Sequence, residues 1–98
     1  GVEMKALCRF FPAESLEWTQ KTTGEIKRGW LQKYDLDMGP GMRVLQSEVM
    51  RMNQGQILAP GEYEVDFYLE KDRRNLLQVV FLNTRMVKPD QKPQAVNG

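Results

Sequence analysis

The 98-residue chain lacks the side chains that most nucleophilic mechanisms need. It contains no histidine and one cysteine, Cys8, so it can build neither a histidine-activated nucleophile nor an ordinary zinc site. Two acidic pairs, Asp35 with Asp37 and Glu62 with Glu64, have the spacing that places both carboxylates on one solvent-facing side of a strand. We therefore predict that the protein is not an enzyme and uses no metal, cofactor or small-molecule substrate.

Cations and aromatic rings are concentrated between residues 18 and 34. Against the single acid Glu25, this segment holds Trp18, Lys21, Lys27, Arg28, Trp30, Lys33 and Tyr34. Proteins that bind single strands without sequence preference combine cations that follow phosphates with aromatic rings that stack on bases, each stack contributing about 1–3 kcal/mol. The segment therefore predicts a nucleic-acid contact surface. The alternative is that Trp30 and Tyr34 belong to the core, which the pattern favours for Tyr34 and leaves open for Trp30.

The net charge of +1 hides an uneven distribution along the chain. Residues 71–88 contain one acid, Asp72, and the five cations Lys71, Arg73, Arg74, Arg85 and Lys88. Residues 59–70 contain four acids and no cation. A solvated surface is the ordinary explanation of such charges, and a ligand surface forms only if the fold brings the two basic segments together.

The single cysteine also indicates a cellular compartment. Cys8 has no partner for an intrachain disulfide, and its neighbours Leu7 and Phe10 predict a buried thiol. A reducing cytoplasm fits this usage. Because no signal peptide and no run of 18 apolar residues is visible, we expect a soluble protein that does not enter a membrane.

Alternation of apolar and polar residues predicts strands along most of the chain. Residues 42–52 fit a helix or a strand, and we predict a strand. Around the polar turn at residues 22–24, two arms form a long hairpin in which Trp18 and Trp30 are expected to pair closely across the strands. The predicted strands span residues 4–11, 16–20, 26–34, 42–52, 62–69 and 76–88.

These elements predict one all-β domain over residues 1–90, a small barrel or sandwich with an OB-like barrel among the candidates, and a disordered tail over residues 91–98. The last strand is apolar on both faces, and its second face carries Leu76, Gln78, Val80 and Leu82. A homodimer interface would bury that face, although the opposite side of a closed barrel explains it equally well.

Residues 59–65 read Ala-Pro-Gly-Glu-Tyr-Glu-Val. This run resembles the Ala-Pro-Gly-x-Tyr-x-Val motif at the start of the dyad hairpin in the gene V single-stranded-DNA-binding proteins of filamentous phages. Three more features keep the family's order, and the resemblance covers residues 16–90. They are the basic hairpin at 18–34, Leu36-Asp37-Met38-Gly39, and Arg85-Met86-Val87 followed by Pro89.

The resemblance implies a five-stranded OB-fold-type barrel with a protruding basic hairpin, the wing, and a two-fold homodimer. The implied function is cooperative, largely sequence-independent coating of single-stranded phage DNA during replication and packaging, in the host cytoplasm. An alternative within the family pattern is repression of translation through single-stranded RNA. The implied dimer interface consists of Phe67, Leu69, Leu76, Gln78 and Val80.

By position, Arg85 matches a DNA-contacting arginine of the family, and Trp30 lies near its base-stacking aromatic residue. Asn83 stands where the family has a second arginine, and Arg43 falls near an exposed family tyrosine. The predicted nucleic-acid-binding residues are Trp18, Lys21, Lys27, Arg28, Trp30, Arg43, Arg73, Arg74 and Arg85. The competing hypothesis, based on the acidic strand and the two-sided last strand, is a β-barrel module that binds another protein.

Overall fold

The computed structural model describes residues 2–90, which form six β-strands and one short 3-10 turn. The strands make one antiparallel sheet in the order β2-β3-β1-β5-β6, with β4 paired to the other edge of β3, and the sheet curls into a half-barrel. The all-β prediction is confirmed, as is the strand predicted within residues 42–52. The predicted disorder of residues 91–98 lies outside the described residues. The elements are β1 (Met4–Phe10), β2 (Glu14–Thr19), β3 (Ile26–Asp37), β4 (Leu45–Arg51), the 3-10 turn Gln54–Gln56, β5 (Gly61–Lys71) and β6 (Leu77–Pro89).

A bulge separates β1 from β2, which both run along the same edge of β3. Both strands pair with β3. On one side of the bulge the Phe11 amide donates to the Lys33 carbonyl at 3.0 Å, and on the other side Glu14 faces Leu31. Pro12 and the residue after it therefore oppose a single residue of β3. Proline has no amide hydrogen to give to a ladder, so the pairing is interrupted at this point. The half-barrel has the six strands that the alternation predicts, one more than the resemblance implies.

The core is small and centred on Phe10. The Phe10 ring lies 5.7 Å from the ring of Tyr34, 5.3 Å from that of Tyr63 and 5.4 Å from that of Phe81. Because Phe81 belongs to β6, these contacts show how far the sheet curls. The buried apolar residues are Cys8, Phe10, Tyr34, Leu36, Tyr63, Val65 and Phe67. The prediction of a buried thiol is confirmed: burial, and to a lesser extent the charge of Asp35, raises the pKa of Cys8 to about 12.

Gln32 ties three segments together from inside the half-barrel. Its side chain is fully buried, and Nε2 donates to the carbonyl oxygens of Phe11 at 3.0 Å and Leu58 at 2.7 Å. Its Oε1 accepts from the Leu58 amide at 3.1 Å and from Nε of Arg51 at 3.4 Å. One glutamine therefore holds together the bulge between β1 and β2, the segment before β5 and the end of β4.

Two bulges interrupt the pairing of β6 with β5. Phe67 faces Phe81 and Asp66 faces Asn83, so Leu82 has no partner, and a second register shift follows between Glu62 and Tyr63. Bulges bend a strand and increase its twist, which helps β6 to curl over the core. The second apolar face predicted for Leu76, Gln78, Val80 and Leu82 is therefore interrupted at Leu82. No helix within residues 2–90 is long and apolar enough to cross a membrane.

Candidate nucleic-acid interface

The paired part of β2 and β3, residues 14–31, forms the wing. Its turn is closed by hydrogen bonds from the Gln20 amide to the Glu25 carbonyl at 2.9 Å and from the Gly24 amide to the Gln20 carbonyl at 2.8 Å. Gly24 adopts a φ of 73°, in the left-handed region that glycine enters without strain. The turn thus sets the cross-strand register of the whole wing.

That register places the two tryptophans on opposite faces. Trp18 pairs with Lys27, whereas Trp30 pairs with Ser15. Directly opposed residues share a face and neighbours along a strand alternate, so the expected close pairing of Trp18 with Trp30 is wrong. We call the two sides the Trp30 face, with Ser15, Glu17, Thr19, Ile26, Arg28 and Trp30, and the Trp18 face, with Glu14, Leu16, Trp18, Lys27, Gly29 and Leu31.

The Trp18 ring packs against the backbone of the wing. A Cβ atom at Gly29 would lie 3.4 Å from the Trp18 ring, 3.3 Å from the Met50 sulfur and 3.2 Å from the Arg51 carbonyl oxygen. The half-buried Trp18 ring therefore fills the space that glycine leaves, and the Met50 sulfur of β4 borders the same space. Lys27, on the same face, pairs with Glu25 at 3.3 Å. This face uses its aromatic ring for packing.

On β3, the Trp30 face lies on the same side of the strand as the buried core residues and extends from them towards the wing tip. Trp30 is half-buried, and Arg28 follows on the same face two residues towards the tip. Nε of Arg28 lies 2.9 Å from a carboxylate oxygen of Glu17, and the two side chains are 77% and 55% exposed. An ion pair this exposed contributes about 0–1 kcal/mol, so Arg28 can exchange its partner at little cost.

Arg51 stands directly opposite Trp30 on β4 and is not among the predicted contact residues. Its guanidinium carbon lies 5.9 Å from the centroid of the Phe10 ring, and burial lowers its pKa. None of the ion pairs formed among residues 2–90 involves Arg51. Only the register of β3 with β4 reveals its position, because residues 42–52 alone did not decide between helix and strand.

The other predicted cations are distributed over several elements. Lys21 is exposed at the wing tip, Arg43 in the loop before β4, and Arg73 and Arg74 in the turn between β5 and β6. Arg85 lies on β6 and pairs with Glu64 at 3.3 Å. Of the nine predicted contact residues, the structure thus brings Arg28 and Trp30 together on one face of the wing. Trp18 and Lys27 share the other face, Lys21 lies in the turn, and the remaining four belong to other elements.

The residues predicted for a dimer interface also separate into two groups. Phe67 is buried in the core of the single chain, whereas Leu69 is 37% and Leu76 58% exposed. Gln78 is exposed and Val80 half-buried on β6. Leu77, which was not predicted, is 62% exposed. Leu69 and Leu77 therefore form an exposed apolar strip on one face at the end of the β5–β6 hairpin, whereas Leu76 lies opposite Asp72 and outside this strip, and Phe67 is in the core.

Comparisons with protein-family models, with curated proteins and with solved structures found no match. The resemblance to the gene V proteins therefore stays a prediction from the motifs and their order in the sequence.

Proposed function

We propose that this protein binds single-stranded nucleic acid, principally DNA, along the Trp30 face of the wing, without catalysis. One observation carries the proposal: Trp30 is half-exposed between Arg28 on its own strand and Arg51 across the ladder. The indole offers a base a stacking surface. Arg28 and the exposed Lys21 at the tip supply charges for phosphates of the strand on the tip side of a stacked base.

The geometry favours binding that tolerates any base sequence. A stacking ring accepts every base because every base has a π face, and phosphate contacts carry no sequence information. The wing holds these groups on a paired hairpin, so little conformational entropy is lost when the ligand binds. The resemblance to the gene V proteins supports a role in coating phage DNA strands cooperatively in the host cytoplasm, with single-stranded RNA as an alternative ligand for the same face.

The same proposal includes an OB-type barrel and a two-fold homodimer. The sheet is curled, and the exposed Leu69 and Leu77 form the apolar strip on one face of the β5–β6 hairpin. An isolated two-stranded hairpin is at best marginally stable in water, and a symmetry-related copy of the strip would cover these side chains. The implied interface residue Phe67 is buried in the core, so it would support such a contact only by packing behind the residues that form it.

A protein-binding module is the second candidate, and the same exposed leucines favour it. The two candidates differ in their dependence on Arg28. Arg28→Ala should weaken DNA binding similarly for all sequences and leave protein binding intact. Lys27→Ala is the matched control, because Lys27 is the neighbouring cation of the same strand but lies on the Trp18 face.

The direct experiment is a fluorescence-anisotropy titration with oligo(dT) and with duplex DNA of equal length, at about 50 and about 200 mM salt. If Arg28 and Lys21 each neutralise one phosphate, the logarithm of the affinity should fall with a slope of about −1.4, a loss of about sevenfold across this range. The single strand should bind more tightly than the duplex. An affinity that does not change with salt concentration, or an equal affinity for single-stranded and duplex DNA, contradicts the proposal.

A further inference from the structure

The half-barrel stays open between its two edge strands, β4 and β6. Among residues 2–90, β4 pairs with β3 alone and β6 with β5 alone. The curl of the sheet nevertheless brings β6 over β3, because the Phe81 ring lies 5.1 Å from the Tyr34 ring. A cleft of about 180 Å³ remains between β6 and the end of β4. Pockets that enclose drug-sized ligands measure roughly 300–1,000 Å³, so this cleft has room for a small group only.

The cleft contains a cation that differs from the others in the described part of the chain. Three cations within residues 2–90 are half-buried, namely Arg9, Lys27 and Arg51. Arg9 pairs with Asp90 and Lys27 with Glu25, whereas Arg51 pairs with no carboxylate of these residues. A half-buried charge without a counter-charge is costly. A bound anion would offset this cost.

The guanidinium of Arg51 keeps hydrogen-bond donors for such an anion. A guanidinium carries five N–H groups, and within residues 2–90 the Arg51 side chain donates from Nε to Oε1 of Gln32 at 3.4 Å. Its guanidinium carbon lies 5.9 Å from the centroid of the Phe10 ring, which places the group on the core side of the sheet. The two terminal nitrogens are therefore suited to an anion in the cleft.

Thr84 supplies a hydroxyl on the same side of the sheet. It faces the buried Val65 across the β5–β6 ladder, and directly opposed residues share a face. Its side chain therefore lies on the core side, as that of Phe81 does, and both residues line the cleft with Arg51. A hydroxyl and a guanidinium both donate to an oxyanion, and the planar fork of arginine matches the geometry of phosphate.

We propose that this cleft binds a backbone phosphate of the single strand, next to the nucleotide whose base stacks on Trp30. Arg51 would donate to the phosphate from its terminal nitrogens and Thr84 from its hydroxyl. Directly opposed residues have Cβ atoms about 4.5–5.5 Å apart, so Arg51 is close enough to Trp30 to reach a phosphate of the stacked nucleotide.

The proposed site gives the strand a direction across the protein. Arg28 and Lys21 lie towards the wing tip from Trp30, whereas Arg51 lies across the ladder from Trp30, on β4. The strand would run from the wing tip over Trp30 and into the opening between β4 and β6. This inference rests on the proposed function, because it extends the path of the same strand.

The salt dependence of oligo(dT) binding tests the phosphate contact. On a single strand, each neutralised phosphate adds about −0.7 to the slope of log affinity against log salt. With Arg51 as a third contact besides Arg28 and Lys21, the wild-type slope should be about −2.1 instead of about −1.4, a loss of about 18-fold between about 50 and about 200 mM salt. Arg51→Gln should bind more weakly and return the slope to about −1.4, a loss of about sevenfold across the same range.

Two further variants assign the effect to the cleft. Arg9→Gln is the matched control, because it removes the same side chain from the outer face of β1, where Arg9 faces Asp35 and Glu62, and it should keep the wild-type slope. Thr84→Val keeps the shape of the side chain and removes a neutral donor. It should also keep the slope but lower the affinity about two- to tenfold, the range of one hydrogen bond.

The possible failures are distinguishable. If Arg51→Gln leaves the slope at its wild-type value, whether or not the affinity falls, the phosphate contact is overturned and the proposed function stands. If the wild-type protein does not bind oligo(dT), or binds it without salt dependence, the proposed function itself fails. Should Arg51→Gln fail to fold, the wild-type slope and Thr84→Val decide, and a wild-type slope of about −1.4 or full affinity in Thr84→Val overturns the inference.

Discussion

The ion pair between Glu17 and Arg28 allows a gain of binding to be predicted. Glu17→Gln removes a negative charge from the Trp30 face without changing the size of the side chain. Because both partners are largely exposed, the variant should lose less than about 1 kcal/mol of folding stability. Its Arg28 no longer has a competing carboxylate, so a phosphate meets a free guanidinium.

The expected size of the effect follows from the 2.9 Å contact between Arg28 and Glu17. A phosphate held by Arg28 would lie about 5 Å from the carboxylate, where two like charges in water repel by about 0.8 kcal/mol, or about fourfold in affinity. At physiological salt, screening roughly halves the free energy and leaves about a twofold gain. Anisotropy titration with oligo(dT) at both salt concentrations measures the gain.

The matched control for Glu17→Gln is Glu25→Gln. This change adds the same charge to the same hairpin, but the Glu25 carboxylate pairs with Lys27 of the Trp18 face. We expect Glu25→Gln to leave the affinity nearly unchanged. Equal gains in both variants would show that the overall charge of the wing matters and not its Trp30 face, and no gain in Glu17→Gln would refute the placement of a phosphate at Arg28.

Three further predictions concern stability and assembly. Gln32→Leu leaves three backbone groups without their partners and should cost about 3 kcal/mol or more in urea denaturation, whereas Gln46→Leu on the exposed face of β4 should cost little. Burial raises the pKa of Cys8 from 9.0 to about 12, so the thiol of the unfolded chain ionises first and the free energy of unfolding falls as the pH rises from about 9 to about 12. Cys8→Ala should remove part of this fall, and an unchanged pH profile in that variant would contradict the prediction. Sedimentation equilibrium should give a dimer of the 11.4 kDa chain that Leu77→Asp splits and Met42→Asp leaves intact, and a wild-type monomer at tens of micromolar would exclude the two-fold interface.

The strands were predictable because their alternation is local, but the faces of the wing were not. In the wing every cross-strand pair joins an even-numbered to an odd-numbered residue, so Trp18 and Trp30 point to opposite sides. A shift of one residue would reverse this arrangement. The register depends on the turn between Gln20 and Glu25 and on the bulge at Pro12, and apolar periodicity does not report either feature.

The candidate site was predictable only in part, because Arg51 gains its significance from distant neighbours. Trp30 and Arg28 were identifiable as an aromatic ring and a cation on one strand. Arg51 needs β4 to pair with β3, and its burial needs Phe10 and Gln32, which lie about 20 to 40 residues earlier in the sequence. The interruption of β6 at Leu82 was not predictable for a related reason, since the bulge follows from pairing with β5.

Selective tryptophan quenching tests the central claim most directly. Trp18→Phe leaves Trp30 as the only tryptophan reporter. Trp30→Phe leaves Trp18 as the reporter and keeps an aromatic ring at position 30 that can stack on a base. On saturation with poly(dT), we expect strong quenching of Trp30 in the first variant and little change of Trp18 in the second. Quenching of Trp18 alone, or an unchanged Trp30 spectrum with DNA fully bound, would contradict binding along the Trp30 face.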